Sequence, residues 1–338
     1  LLESAARGTN ERWDILFGFP QGALTLHPDG RVRDADGTDR GERFLDALDQ
    51  AWKSNRRQLA VRGARPSGKL RHSPRVPDTW HPGIAQTQEL PPFTGGWLLY
   101  LGYELAEEIE PSLRLPRDPR ANAPVALALR CPAAILADRE CGRTVMVVED
   151  EDRADMLDAM QRDIEHCPGV ATSAPPRPRE IVEDDPAHFL AGLERIHQYL
   201  RGGDTFQVNL SRQWRAHYDE PQEPARIYGS LRRANPAPFA GLLQCDGWAI
   251  ASSSPERLLE IRNGVAQTRP IAGTRPRTPG DDDAARIREL LAHAKERAEH
   301  VMLIDLERND LGRICIPGTI EVDELMTVES YAHVHHIV

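Results

Sequence analysis

Between Thr268 and Arg277 the chain reads T-R-P-I-A-G-T-R-P-R, residue types that suit a loop gripping a small anion. Arg269, Arg275 and Arg277 supply positive charge, and Pro270 and Pro276 stiffen the entry and exit. Gly273 lets another group come close to the main chain. Taken alone, a basic surface turn is the stronger reading of this stretch. Glu299 flanks an apolar helical stripe that runs from Ile287 through Leu290, Ala294 and Ala298 to Met302, where a carboxylate is ordinarily solvated. His333, His335 and His336 crowd the end of the sequence. In a strand only residues two apart share a face, which favours one catalytic or structural histidine over a three-histidine metal cluster.

These groups need a frame. Asn263-Gly264 between Leu258–262 and 265–271 is a strong hairpin signal, so the loop is the outgoing arm of a hairpin. Asp281-Asp282-Asp283 caps one long helix that carries Glu299, and the charged segment 305–313 follows it. Asp185-Pro186 starts a helix that Gly202-Gly203 stops, with Phe189, Leu193, Ile196 and Leu200 as its apolar stripe. Thr205 to Arg212 alternates, with Phe206, Val208 and Leu210 against Gln207, Asn209 and Ser211, as a half-exposed strand does. Further strands are expected at 13–17, 23–26, 95–103, 134–137, 144–148, 239–243 and 248–252, and helices near 42–52 and 152–166. Residues 62–94 read as an irregular excursion, and the helix-breakers of 168–180 as a linker. The expected division is 1–167, a linker at 168–184, and 185–338.

The net charge of -10 leaves no basic face to neutralise phosphates and argues against a nucleic-acid partner. No apolar run approaches the ~20 residues of a membrane helix. Five cysteines, scattered and odd in number, read as free thiols of a reducing cytoplasm.

Several segments together resemble the chorismate-utilising enzymes, the large subunits of aminodeoxychorismate synthase and anthranilate synthase. They are G-D-T-F-Q-V-N-L-S-R from Gly203, S-S-P-E from Ser253, the Arg269-to-Arg277 stretch, A-E-H from Ala298 with 305–313, and H-V-H-H-I-V from His333. Leu1-Leu2-Glu3-Ser4 and 95–104 extend the likeness into the first half. The resemblance implies an α+β fold of two antiparallel sheets packed as a sandwich, helices outside and the site between the sheets. It makes Glu299 a ligand of Mg²⁺, a hard cation suited to carboxylate oxygens. It makes Glu256 the acid that assists loss of the ring hydroxyl, a role that needs burial to raise its pKa. Ile271, Ala272, Gly273 and Thr274 then face the substrate chorismate, His336 is the active-site histidine, and Leu2, Glu3 and Ser4 border a tryptophan pocket. The family continues past Val338 with a second metal-binding glutamate, a basic residue and glycine-rich loops; a chain ending there would be a non-catalytic relative.

Within the family, isochorismate-forming members carry a water-activating lysine where this chain has Gln207, so ammonia fits better than water as nucleophile. Nothing in the chain resembles a glutaminase, which implies a glutamine amidotransferase partner. Trp13-Asp14-Ile15-Leu16 and 235–240 (N-P-A-P-F-A) resemble the aminodeoxychorismate branch. Ala272 resembles the anthranilate branch, because many aminodeoxychorismate synthases place a nucleophilic lysine there and an alanine methyl has no such chemistry. Two segments against one side chain favour aminodeoxychorismate synthesis.

Overall fold

The computed structural model describes residues 1–6, 12–61, 71–72, 91–116, 123–150, 153–167 and 176–338. Every described strand pair is antiparallel and the helices are separate elements, an α+β architecture. A seven-stranded sheet runs in the order Trp248–Ser254, Phe239–Cys245, Leu2–Glu3, Trp13–Gly18, Ala133–Asp138, Arg143–Val148, Arg71–His72. A five-stranded sheet runs Asp39–Gly41, Val32–Asp34, Ala23–Leu26, Ala126–Cys131, Gly96–Leu101.

Each large sheet buries one face under a helix. Phe44, Leu45 and Leu48 sit at helical spacing on Phe44–Val61 and pack on Leu24, Leu26, Val32 and Ala126. Met156, Leu157, Met160 and Ile164 of helix Ala154–His166 cover Ala133, Met146 and Val148 in the same way. Fully buried Phe44 and Leu157 anchor the two contacts.

The chain forms two compact units, Leu1–Val170 with Leu231–Val338, and Ala171–Ser230. This grouping does not follow the expected 1–167 and 185–338, because Phe239–Cys245 pairs with Leu2–Glu3 and ties the second half to the beginning. Part of the expected linker is ordered, since Glu180–Glu183 pairs with Trp214–His217; residues 168–175 lie outside the described ones. Most of the expected excursion at 62–94 also lies outside the described residues.

In the smaller unit, Asp185 accepts a hydrogen bond from the Ala187 backbone N–H at 2.9 Å, and Gly203 ends helix Pro186–Gly202 at φ 77°. The alternation at 205–212 does not make a strand. Pairing begins only at Trp214, and Arg212 instead lays its guanidinium against the rings of Phe189 and Trp214, at 5.4 and 4.9 Å. In the larger unit, Asn263 and Gly264 both take left-handed φ and turn strand Arg257–Arg262 back into Val265–Arg269. The expected single helix after Asp282 breaks at His293, whose backbone is extended, into Asp283–Ala292 and Ala294–Gly312.

Candidate active site

The outgoing hairpin arm does not stop at Arg269. Thr274–Pro276 forms a short strand on the last strand, Val334–Ile337, with Thr274 opposite His336 and Arg275 opposite His335. Ala272 N–H donates to Ile337 O at 3.0 Å and Ile337 N–H donates to Gly273 O at 3.2 Å, which zips the loop onto that strand. Gly273 has φ +84°, a left-handed conformation, and a Cβ there would lie 3.0 Å from Glu296 Cβ. The close approach expected at this glycine is therefore made by helix Ala294–Gly312.

That long helix runs beneath the loop. Glu296, His300, Leu303 and Glu307 share one face at 3.6 residues per turn. Glu296 meets Gly273, while Glu307 Oε2 is enclosed without a hydrogen-bond partner. Glu299 stands one turn from Glu296 on the flank of this face, 24% exposed, with Lys295 Nζ at 3.7 Å.

Glu256 and His336 join the loop from two other sides. Glu256 Oε1 accepts the Ile271 N–H at 2.9 Å, while the side chain remains exposed. The burial expected for an acid in this role is thus not supplied, because Glu256 sits at the junction of two strands and reaches outward to the loop's backbone. His336 Nδ1 is 2.9 Å from Thr274 Oγ1, and the ring is buried. Burial holds its pKa below the usual histidine value, opposed by a bond to the Gly273 backbone and by the Glu329 carboxylate. His335 is enclosed as well, 2.8 Å from Ser330 Oγ and 3.3 Å from Asp283 Oδ1, whereas His333 is exposed.

The three loop arginines are bound to carboxylates of the chain itself. Arg269 meets Glu324 and Glu329, Arg275 meets Glu289 and Glu296, and Arg277 meets Asp283. Anion gripping by these guanidinium groups, one reading of the stretch taken alone, is displaced by a structural role. Gln207 lies in the smaller unit, exposed, between helix Pro186–Gly202 and strand Trp214–His217. Glu3 and Ser4 are buried in the seven-stranded sheet, with Glu3 Oε2 2.8 Å from Arg232 and 3.6 Å from Arg139.

A family model described as chorismate binding enzyme matches residues 17–338. The chain belongs to the chorismate binding enzyme family. Among similar curated members are the anthranilate synthase component I-like protein of Synechocystis sp. and aminodeoxychorismate synthase component 1 of Bacillus subtilis. The first is 36% identical over 250 residues, 73% of this chain and 50% of the relative; the second is 36% identical over 265 residues, 74% and 55%. Anthranilate synthase component 1 of Saccharolobus solfataricus is 48% identical over 142 residues, 42% of this chain and 33% of the relative. The chain thus spans about half or less of the length of these members. In fold it matches anthranilate synthase component I of Streptococcus pneumoniae, with a TM-score of 0.72, 23% identity, and coverage of 98% of this chain and 70% of that one. No described helix is long and apolar enough to cross a membrane.

Sequence reasoning passed over Glu307. The signal was its place on the inward face with His300, Leu303 and Leu311, where a charged residue breaks an otherwise apolar spacing.

Buried His336 makes stability depend on pH. The unfolded chain takes up the proton first, so folding is fully favoured above pH ~6.5 and loses ground as the pH falls through that value. Buried His300 is shifted in the same direction. The urea midpoint is expected to fall between about pH 7.5 and about pH 5.5, and to fall less in a His336→Asn variant. An equal fall in both proteins would assign the pH dependence to other groups.

Proposed function

We propose that this chain is the chorismate-binding part of an aminodeoxychorismate synthase component I, which aminates chorismate with ammonia to 4-amino-4-deoxychorismate, the precursor of p-aminobenzoate and folate. The observation that carries the reading is the anchoring of Glu256 on Ile271 N–H, which sets a carboxyl group on the loop that the family resemblance turns toward the ring. Glu256 protonates the departing ring hydroxyl. Backbone groups of Ile271, Ala272 and Gly273 and the Thr274 hydroxyl position the substrate. His336, held by Thr274, stays neutral at neutral pH, and only in the anthranilate reading would it accept a proton from the ring. Gln207 cannot act as a base, so ammonia, already nucleophilic, is the attacking group. Ala272 leaves no covalent lysine route at its position.

Among the described residues no three His, Cys, Asp or Glu side chains gather into a metal-holding group. Glu299 offers one hard oxygen donor, which is enough for Mg²⁺ in the usual manner of one or two carboxylates completed by substrate and water. Bound there, Mg²⁺ would neutralise a substrate carboxylate. The component I names of the relatives support a second subunit, a glutamine amidotransferase that supplies the ammonia. Tryptophan at Leu2, Glu3 and Ser4 is a further proposed ligand.

The branch assignment leans on 13–16 and 235–240, and register brings these together. Leu2 lies opposite Ile15 and Gly241, and Glu3 opposite Ala240, so both segments border the Leu2–Glu3 strand. Ala272 and the names of several relatives favour the second reading, anthranilate synthesis. Chorismate, Mg²⁺ and an ammonium salt should yield aminodeoxychorismate without pyruvate. Stoichiometric pyruvate with fluorescent anthranilate would replace the first reading by the second.

A further inference from the structure

His336 has a carboxylate for a neighbour. Strand Val328–Ser330 pairs with Val334–Ile337 on the side away from Thr274–Pro276, and it places Glu329 opposite His336. Residues directly opposite in an antiparallel pair share a face, with Cβ atoms about 5 Å apart. Thr274, His336 and Glu329 therefore form one row across three strands, and Thr274 Oγ1 bonds the ring at 2.9 Å. The Glu329 oxygens are engaged by other residues. Arg269 Nη2 donates to Oε1 at 2.9 Å, and the Tyr331 hydroxyl donates to Oε2. Tyr331 also lays its ring beside the His336 imidazole, with centroids 5.9 Å apart and planes at 56°. The Arg269 and Glu329 side chains are only 22% and 15% exposed, so solvent screens this ion pair weakly.

We propose that Arg269 and Tyr331 form a clamp that claims the Glu329 carboxylate against His336, and so withholds from the histidine the partner that would make it a base toward the substrate ring. The inference rests on the amination reading and deepens it, because it gives a reason for the enolpyruvyl group to stay on the product. A histidine whose ring N–H meets a carboxylate is a stronger base than one that meets a hydroxyl. The groups set around the ring are Glu329 across the strand pair, His335 beside it, Thr274 and Tyr331, with Arg269 behind Glu329. Burial holds the His336 pKa down, the Gly273 backbone and the Glu329 charge oppose it, and His335 adds to the fall. The Glu329 charge is thus felt at His336, and its pairing with Arg269 limits that pull.

The step that the clamp holds back is an elimination. A ring nitrogen of His336 would take the proton from the ring carbon that bears the new amine. The C–H pair would become a ring double bond, and the neighbouring C–O pair would leave with the enolpyruvyl oxygen. The departing enolate would take the proton back at carbon and become pyruvate, so that the aminated ring is left aromatic and nothing is oxidised from outside. Arg269 and Tyr331 act through Glu329 on His336 and are positioning residues.

The test has one arm without substrate and one with it. In the substrate-free protein, the His336 ring is followed by NMR through a pH titration, its signal assigned by absence from His336→Asn. Tyr331→Phe keeps the ring against His336 and removes the hydroxyl that holds Glu329 Oε2. It should raise the proton affinity of His336 about tenfold, and Arg269→Gln should move it the same way. In the double variant Tyr331→Phe with Glu329→Gln the rise should vanish, because the carboxylate is gone. With chorismate, Mg²⁺ and ammonium, Tyr331→Phe should increase pyruvate relative to aminodeoxychorismate about tenfold or more, with KM for chorismate within about threefold of wild type. No rise in either single variant, or a rise that survives in the double, overturns the clamp. A pyruvate share that stays at the wild-type level overturns its control of the product. A wild-type protein that forms no aminodeoxychorismate overturns the amination reading and the product role with it, while the histidine titration still tests the clamp.

Discussion

Glu256→Gln is expected to lower kcat for chorismate amination by ~10²–10⁴-fold, the usual contribution of a positioned general acid. Glutamine keeps an oxygen that can accept the Ile271 N–H, so the loop stays where it is and only the transferable proton is lost. The side chain is exposed, and the melting temperature should therefore move little. Glu256→Ala removes the acceptor as well. It should add a rise in KM to the same loss of kcat, because Ile271 then loses its tether. The pair of variants separates chemistry from positioning. A fall of less than about threefold in kcat for the glutamine variant would take the acid role away from this residue.

The second large effect concerns stability. Gly273→Ala should destabilise the protein by roughly 2–4 kcal/mol, read as a lower denaturation midpoint, because two penalties coincide. The φ of +84° strains any L residue, and the new methyl would press on Glu296 Cβ and Oε2, each 3.0 Å away, and on Leu290 Cδ1 at 3.3 Å. Gly264 supplies the control. Its φ is +79°, but a Cβ there meets nothing within 4 Å. Gly264→Ala should cost only the strain, about 1–2 kcal/mol. Equal losses at the two positions would mean that the packing of Glu296 under the loop contributes nothing.

Local rules made much of the frame legible. Asn263-Gly264 predicts its hairpin because two consecutive left-handed residues are needed there, and Asp185-Pro186 predicts a helix start because one side chain completes the first turn. Gly273 could be singled out on the same ground, as a place of close approach, although not what approaches it. Where partners far along the chain decide, the sequence is silent. Thr205 to Arg212 alternates like a strand but has no ladder to join, and Ala126–Cys131, buried between two neighbours, has no alternation to betray it. Arg269 and Arg275 read as ligands for an outside anion because their carboxylates, Glu289, Glu296, Glu324 and Glu329, follow 14 to 60 residues later. The segments 13–16 and 235–240 looked like two independent signs of the branch. Register makes them a single place in the fold, so their agreement weighs less than a count of segments suggests.

The position of Leu2–Glu3 has a consequence for how the protein is made. This two-residue strand is held between Trp13–Gly18 and Phe239–Cys245, and Leu1 N just before it donates to Leu242 O across 241 residues. A ribosome releases Leu2–Glu3 long before its neighbour Phe239–Cys245 exists. The five-stranded sheet with its helix can close early, since all its strands lie within residues 23–131. The seven-stranded sheet cannot be completed until residue 254 has emerged, and the edge of Leu2–Glu3 must wait for Phe239–Cys245 through that interval. In that window the waiting edge is open to mispairing, so the order of synthesis as well as final stability bears on folding.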